Sequence, residues 1–348
     1  MKALALALVM SFSLLLVAGA AADPLPRAKA EEVGLSSEKL DRIGRILRAD
    51  VERGRIPGAV VIVARKGRIA YLDTVGFRDK IAGAAMTQDA IFRIASMTKP
   101  LVSVATMMLY EEGRLFLSDP VSKYLPELAN RQVGVEKLDP VTGKTVFYTV
   151  PAESEMTIQD LLRHTSGFTS GNRGTTHAGF VVPADKKGRL AQALAIDPDT
   201  GKEIKLFDPT TTPKFECGGG CGVSTAGDYV RFTQMLLNRG TLEGARLLGR
   251  KTVEYMTSDH LGSAIAPGAA YSPGPGYGFG LGFAVRKDTG VSSVTGSAGD
   301  YNWGGAFGTG FWVDPKEELT VVFMAQAPGP IRVHYRQLLK TLVLQAIE

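Results

Sequence analysis

The residues of this 348-residue chain whose types and spacing could do chemistry begin with Ser96-Met97-Thr98-Lys99. On a helix, side chains three residues apart share a face, so the Ser96 hydroxyl and the Lys99 amine can approach hydrogen-bonding distance. A desolvated lysine loses its charge more readily, and a neutral amine can accept the serine proton. At a helix start, backbone N–H groups and the helix dipole favour a developing oxyanion. The spacing is therefore compatible with a nucleophilic serine and a lysine base.

Taken alone, this spacing has a simpler explanation. A capping serine at a helix N-terminus followed by a surface lysine would give the same pattern. S-x-x-K also recurs by chance about once or twice in a chain of this length. The choice between the two explanations depends on the sequence around Ser96.

Other catalytic patterns are absent or incomplete. The four histidines have no H-E-x-x-H or paired spacing, and no G-x-S-x-G elbow occurs. These absences argue against a zinc site and against an α/β-hydrolase. A Ser-His-Asp triad stays open, because its members converge only in space.

The two cysteines, Cys217 and Cys221, are separated by three glycines. In an exported protein they could close a small disulfide, but so short a ring is often strained, so a free pair is equally compatible. The glycines let the backbone pass close to other elements. No catalytic role follows from the sequence here.

Composition and the first residues indicate an exported globular protein. The chain is 45% hydrophobic and 22% charged, which excludes general disorder, and its net charge of +5 is spread without a basic run, which argues against nucleic acid as a partner. Residues 1–22 combine a lysine, an apolar run and small residues, as a signal peptide does. We expect one domain over 23–348, periplasmic or secreted, without stable membrane insertion.

The elements that must position Ser96 and Lys99 follow from hydrophobic spacing. The predicted strands are 59–64, 69–71, 278–285, 306–313 and 319–326, and the predicted helices are one capped by Ser36 or Ser37, 96–112, 156–164 and a closing helix through Leu338 and Leu342. Strands at both ends with a helical sub-region at about 97–235 favour an α+β fold. Its antiparallel sheet would be built from both chain ends and flanked by helices.

Motifs spread over nearly the whole mature chain carry a resemblance to a known family. They are Phe92-Arg93-Ile94-Ala95-Ser96-Met97-Thr98-Lys99-Pro100, Gly113-Arg114-Leu115 with Leu117-Ser118-Asp119-Pro120-Val121, Leu161-Leu162-Arg163-His164-Thr165-Ser166-Gly167, Ser224-Thr225-Ala226-Gly227-Asp228-Tyr229 and Trp303-Gly304-Gly305. In this order they resemble the serine β-lactamase-related superfamily, which includes class C β-lactamases, D-alanyl-D-alanine peptidases and family VIII esterases. The resemblance implies a β-lactamase/transpeptidase-like fold.

The resemblance also implies roles for individual residues. Ser96 would be the acylated nucleophile and Lys99 its general base. The backbone N–H groups of Ser96 and Ala306 would form the oxyanion hole. Trp303, Gly304 and Gly305 would lie beside the substrate, on what the family pattern gives as an edge strand. No metal or organic cofactor is implied, since these groups suffice for acyl transfer.

The sequence departs from the family pattern after Gly167. There the family carries a Y-x-N or Y-S-x element, whose tyrosine relays a proton, but no tyrosine occurs here between Tyr148 and Tyr229. We infer that a segment of several tens of residues, with this tyrosine and much of the helical region, is missing. Loss of one acid–base group typically costs on the order of 10²–10⁴-fold in rate. Tyr301 is the nearest substitute, although packing beside the site explains it more simply, and Tyr229 is expected to be structural.

Trp303 bears on the substrate. A lysine at this position would pair with the carboxylate of a lactam or a D-alanyl peptide, whereas Trp303 offers an apolar wall and one N–H donor. This favours small neutral esters, with a tryptophan that only caps the sheet as the alternative.

The leading interpretation is thus an exported serine hydrolase, mainly a carboxylesterase, whose partner is a small-molecule ester or amide. A β-lactamase or D-alanyl-D-alanine carboxypeptidase-like activity is the second. The third is a catalytically impaired relic that binds cell-wall material.

Overall fold

The computed structural model describes residues 24–168, 181–211, 217–263, 265 and 273–348, so the predicted signal peptide lies outside the described residues. The α-helices are α1 (Ser37–Glu52), α2 (Thr98–Glu111), α3 (Ile158–Leu162), α4 (Ala226–Leu237), α5 (Arg250–Met256) and α6 (Ile331–Leu344). The strands are β1 (Gly58–Arg65), β2 (Arg68–Asp79), β3 (Ala84–Ala85), β4 (Phe92–Arg93), β5 (Gln132–Leu138), β6 (Thr145–Pro151), β7 (Val223–Ser224), β8 (Thr241–Leu242), β9 (Ala245–Arg246), β10 (Tyr277–Phe279), β11 (Ala284–Arg286), β12 (Tyr301–Gly304), β13 (Gly310–Asp314) and β14 (Leu319–Ala325). Short 3-10 turns lie at Ala30–Val33, Ala95–Met97, Val121–Lys123, Pro126–Leu128 and Ala184–Arg189.

One large antiparallel sheet joins the two ends of the chain. Its eight strands run in the order β10-β11-β12-β13-β14-β1-β2-β3. The central pair, β1 and β14, is antiparallel over seven residue pairs, from Ala59 opposite Ala325 to Arg65 opposite Leu319. The predicted α+β architecture, with a sheet built from both chain ends, is therefore confirmed.

Both faces of this sheet are covered by helices. On β1, Val61 and Val63 belong to the core that α1 and α6 cover, while Val60 and Ile62 belong to the core shared with α2 and α4. Successive side chains of a strand point to opposite faces, so an unbroken apolar run is what a doubly covered strand requires. The second core supports the helix that follows Ser96.

Two predicted strands differ from the structure. The stretch 278–285 forms two paired strands, β10 and β11, because the chain reverses between them: the Gly280 N–H donates to the Phe283 carbonyl at 2.8 Å, and Gly282 has a φ of 92°. The stretch 306–313 becomes a strand only at Gly310, since residues 305–309 form a turn. Apolar runs do not reveal such reversals, because the turn residues between the strands are apolar as well.

The expectation that Trp303 lies on an edge strand is also wrong. β12 has β11 on one side and β13 on the other. However, β11 pairs only with Tyr301 and Asn302, so Trp303 and Gly304 extend beyond this pairing. The end of β12 nearest the Ser96 turn is therefore unpaired on the β11 side.

The region between the two sheet halves contains both helices predicted there, as α2 and α3, together with α4. Helix α3 begins with a capping box, in which the Thr157 and Asp160 side chains each accept a hydrogen bond from the other residue's backbone N–H. β5 and β6 form a hairpin. The turn of that hairpin spans residues 139–144, where the Asp139 N–H donates to the Lys144 carbonyl at 2.9 Å. Within the described residues, no helix is long and apolar enough to cross a membrane.

Candidate active site

Ser96 lies in a sharp turn immediately before α2. The 3-10 turn Ala95–Met97 precedes the helix, and Ala95 has a φ of 45°, a left-handed conformation that is unfavourable for a residue with a side chain. The Ser96 and Lys99 side chains are both partly accessible. Their Oγ and Nζ atoms are 3.1 Å apart, so the structure brings together the two residues that the sequence singled out.

Lys99 has the surroundings that a general base needs. Burial lowers the pKa of its ammonium group below the ordinary value of 10.5. Its Nζ also donates to the backbone carbonyl of Gly219 at 2.5 Å. The lysine is thus held by one hydrogen bond while it contacts Ser96 through another.

The turn after β12 is fixed directly against the residues that precede Ser96. A Cβ at Gly305 would lie 2.3 Å from the Ile94 carbonyl oxygen, so only glycine allows this approach. Thr309 Oγ1 donates to the same carbonyl at 3.3 Å. Ala306 is exposed, and its N–H donates no hydrogen bond to another residue in the described part of the chain. This free donor is where the sequence placed half of the oxyanion hole.

Arg336, on α6, fixes the orientation of the same turn. Its Nη2 donates to the carbonyls of Gly305 at 2.5 Å and Thr309 at 2.8 Å. The Gly305 carbonyl and the Ala306 N–H belong to one peptide plane, so the guanidinium holds the N–H pointing away from itself. Burial lowers the pKa of Arg336 to about 10, which leaves it charged at neutral pH.

An aromatic cluster lines the site next to Lys99. Trp303 packs edge-on against Phe279, with ring centroids 5.2 Å apart, and against His164 at 5.4 Å. The Trp303 Nε1 is buried without a hydrogen-bond partner among the described residues. The N–H donor expected from the sequence is therefore not presented to a substrate, and Trp303 contributes only apolar surface.

His164 is a site residue that the sequence did not single out beyond its motif. It is exposed to solvent although aromatic rings lie on two sides of it. Partial desolvation by these rings and, to a smaller extent, the charge of Lys99 lower its pKa below the ordinary value of 6.5. A neutral imidazole therefore lies near the Lys99 amine at physiological pH. Leu161-Leu162-Arg163-His164-Thr165-Ser166-Gly167 was the available signal.

Neither Tyr301 nor Tyr229 hydrogen-bonds the Ser96 or Lys99 side chain. Tyr301 is 2% exposed and packs edge-on against Phe283 at 5.3 Å, so it lies in the core and not beside the substrate. Tyr229 is 1% exposed and donates to the Met97 carbonyl at 2.9 Å, which supports the Ser96 turn from within the core. In the described part of the chain, no tyrosine hydroxyl hydrogen-bonds Ser96 or Lys99.

The remaining candidates for chemistry are few. Cys217 and Cys221 form a disulfide, which decides between the two alternatives that the sequence left open. Among the described residues, no group of three or more His, Cys, Asp or Glu side chains could hold a metal ion, and His177 lies outside them.

Comparison with known families decides the relationship of the chain. A family model described as Beta-lactamase matches residues 43–176 and 172–344. The chain belongs to the β-lactamase family. Its large antiparallel sheet and flanking helices are those of the β-lactamase/transpeptidase-like fold.

Individual relatives extend this result. Protein Rv1367c of Mycobacterium tuberculosis is 30% identical over 366 aligned positions, which cover 80% of this chain and 88% of that protein. Esterase EstB of Burkholderia gladioli is 38% identical over 127 residues, 36% of this chain and 28% of that protein. The solved structure of the hydrolase EstCE1 has a TM-score of 0.66 at 22% identity, covering 88% of this chain and 98% of the other. The two matches of the family model overlap at 172–176. This overlap falls within 169–180, which is not among the described residues.

Proposed function

We propose that this member of the β-lactamase family is an exported serine hydrolase that acts mainly as a carboxylesterase on small neutral esters. The observation that carries the proposal is the 3.1 Å contact between Ser96 Oγ and Lys99 Nζ, with a lysine whose pKa burial lowers. The partial similarity to an esterase, EstB, supports the reaction class. The disulfide supports export, since disulfides persist in oxidising compartments.

The proposed reaction has two halves. The neutral Lys99 amine accepts the Ser96 proton as Oγ attacks the ester carbonyl, and the backbone N–H groups of Ser96 and Ala306 stabilise the oxyanion. The intermediate collapses to an acyl-Ser96, and the leaving alkoxide takes the proton from the Lys99 ammonium. Water then attacks the acyl group, with Lys99 accepting its proton, and the acid leaves as Ser96 is protonated again.

Arg336 supports the oxyanion hole through the peptide bond it holds. The charge-assisted hydrogen bond to the Gly305 carbonyl polarises that peptide and strengthens its N–H, the Ala306 donor, toward a negative oxygen. A fixed donor needs no reorganisation when the oxyanion forms.

The choice of ester over lactam rests on Trp303. We expect turnover of p-nitrophenyl butyrate to exceed that of a chromogenic cephalosporin, because the Trp303 ring packed on Phe279 offers no charge to a carboxylate. Trp303→Lys should lower kcat/KM for the butyrate by on the order of 10-fold and raise it for an ester that carries a carboxylate. Trp303→Phe is the matched control, since it keeps the apolar wall. A wild-type chain that hydrolyses the cephalosporin and is inert to the butyrate would reverse the choice in favour of a β-lactamase or peptidase.

The pH dependence follows from the direction of the Lys99 shift. Only the neutral amine accepts a proton, so kcat/KM should rise with pH and level off once Lys99 is deprotonated, with a midpoint below 10.5. The pKa of His164 is also lowered, so its imidazole is neutral at and above pH 7 and adds no step in the range where Lys99 loses its proton. The measurement is Ser96-dependent ester hydrolysis from about pH 5 to about pH 10, which covers the range below the ordinary pKa of lysine. A rate that does not vary with pH would contradict Lys99 as the base.

The second candidate is a catalytically impaired relic that binds cell-wall material. The absence of the tyrosine of the family pattern favours it. The alignment with Rv1367c also does, because it spans 366 positions but includes only 80% of this chain, so that relative has residues without a counterpart here. A fluorophosphonate probe separates the two candidates, since only an activated serine is labelled. Folded protein that stays unlabelled would favour the relic.

A further inference from the structure

The disulfide closes a glycine loop that lies along the helix face carrying Lys99. A Cβ at Gly218 would be 3.4 Å from Val102, one at Gly219 would be 3.8 Å from Lys99 Nζ, and one at Gly220 would be 4.0 Å from Ala95. Lys99 and Val102 are three residues apart on α2 and share one face, and Ala95 lies in the turn just before the helix. A Cβ at each of these positions would make ordinary van der Waals contact, so the loop backbone lies close against this face.

One end of this loop is anchored to the nucleophile turn through its backbone. The Gly222 N–H donates to Thr98 Oγ1 at 2.9 Å, and the Gly222 carbonyl accepts from the Ile94 N–H at 2.9 Å. β7 then pairs with β4 directly after the loop. Cys221, which is 5% exposed, belongs to this fixed end, and the disulfide ties Cys217 to it.

The carbonyl at the centre of the loop determines how Lys99 points. A neutral lysine amine has two N–H donors and one lone pair. When one N–H donates to the Gly219 carbonyl, the amine is fixed in a position from which its lone pair can receive the Ser96 proton. The same carbonyl stabilises the ammonium that proton transfer creates.

We propose that the disulfide ring of residues 217–221 is a positioning element for catalysis, which holds the Gly219 carbonyl on Lys99 and so keeps the amine directed at Ser96. This inference rests on the proposed function of the Ser96–Lys99 pair. The ring would then contribute to catalysis as well as to stability. Three consecutive glycines have many conformations in an open loop, and the disulfide removes most of them.

Opening the ring should therefore change catalysis more than binding. We expect kcat to fall by on the order of 10- to 100-fold, as for other misplaced acid–base groups, with KM nearly unchanged. The midpoint of the pH profile should move to lower pH, because an ammonium without the Gly219 carbonyl is less well stabilised. A ring that only stabilised the fold would leave the pH midpoint in place.

The experiment uses purified chain beginning at Asp23 before and after treatment with tris(carboxyethyl)phosphine. The phosphine converts the disulfide to two thiols and becomes the phosphine oxide, with oxygen supplied by water. The variant Cys217→Ser/Cys221→Ala is measured beside it. It should have the same kcat and pH midpoint as the phosphine-treated protein, and the phosphine should not change them further. Circular dichroism and thermal melting report whether each sample is folded, and thiol counting reports whether the ring is closed at the start.

The outcomes separate this inference from the proposed function. A folded reduced protein with lower kcat and a lowered pH midpoint supports the ring as a positioning element. Unchanged kcat and midpoint, two free thiols in active untreated protein, or activity lost only in step with the fold would each overturn it. If the untreated protein does not hydrolyse esters, the proposed function fails, and ¹³C NMR of the Lys99 Cε, assigned with Lys99→Met, still tests whether opening the ring lowers the pKa of Lys99.

Discussion

Replacing Ser96 by alanine is expected to reduce p-nitrophenyl butyrate hydrolysis to the spontaneous rate, a fall on the order of a thousand-fold or more. The reason is that the acyl-enzyme cannot form without Oγ, and among the described residues no other hydroxyl hydrogen-bonds Lys99. The substitution removes one partly accessible oxygen and should leave the fold intact. Initial rates over a range of enzyme concentrations give the measurement.

Ser118→Ala is the matched control for this loss. Ser118 is exposed in the segment after α2, and we expect its variant to retain wild-type rates. If Ser96→Ala and the wild type hydrolysed the ester at equal rates, the nucleophile would be another residue. The Ser96–Lys99 contact would then have no catalytic role.

Replacing Lys99 by methionine is expected to lower both ester turnover and the rate of fluorophosphonate labelling by on the order of 10²–10⁴-fold. Methionine keeps much of the side-chain length and apolar contact but provides no amine. The Ser96 hydroxyl then loses the amine that contacts it, so its oxygen stays a weak nucleophile. Labelling followed by intact-protein mass spectrometry measures activation of Ser96 independently of product release.

Lys99→Arg distinguishes a base from a charge. A guanidinium remains protonated at any pH used and cannot accept the serine proton, so this variant should be as inactive as Lys99→Met. Lys316→Met, in the exposed turn between β13 and β14, controls for the loss of a lysine elsewhere. Wild-type labelling in Lys99→Arg would show that Lys99 acts only through its charge.

Hydrophobic spacing predicted the elements that frame the site, because their packing follows from local pattern. Ser36 caps α1, whose Leu40, Ile43 and Leu47 are buried, and β1 and β14 are buried along their whole length. The pairing of the N-terminal and C-terminal strands also agrees with prediction. Such elements bury a stripe or a whole strand, and this requirement is visible in sequence.

The parts that sequence did not reveal depend on reversals and on backbone groups. Tyr301 and Trp303 alternate with Asn302 and so share one side of β12, but only the three-dimensional packing places Tyr301 in the core and Trp303 at the cleft. The Gly219 carbonyl that holds Lys99 has no side chain to mark it. Arg336, on the last helix, contacts the turn of Gly305 across a long sequence separation. Contacts of this kind are set by tertiary structure alone.

The most direct test of the proposed mechanism is the location of the fluorophosphonate adduct in the folded, oxidised chain. After labelling, proteolysis and tandem mass spectrometry identify the modified residue. We expect a single adduct on Ser96, which would show that the serine beside Lys99 is activated even without the tyrosine of the family pattern. An adduct on a different serine, or folded protein that remains unmodified, would contradict the Ser96–Lys99 mechanism.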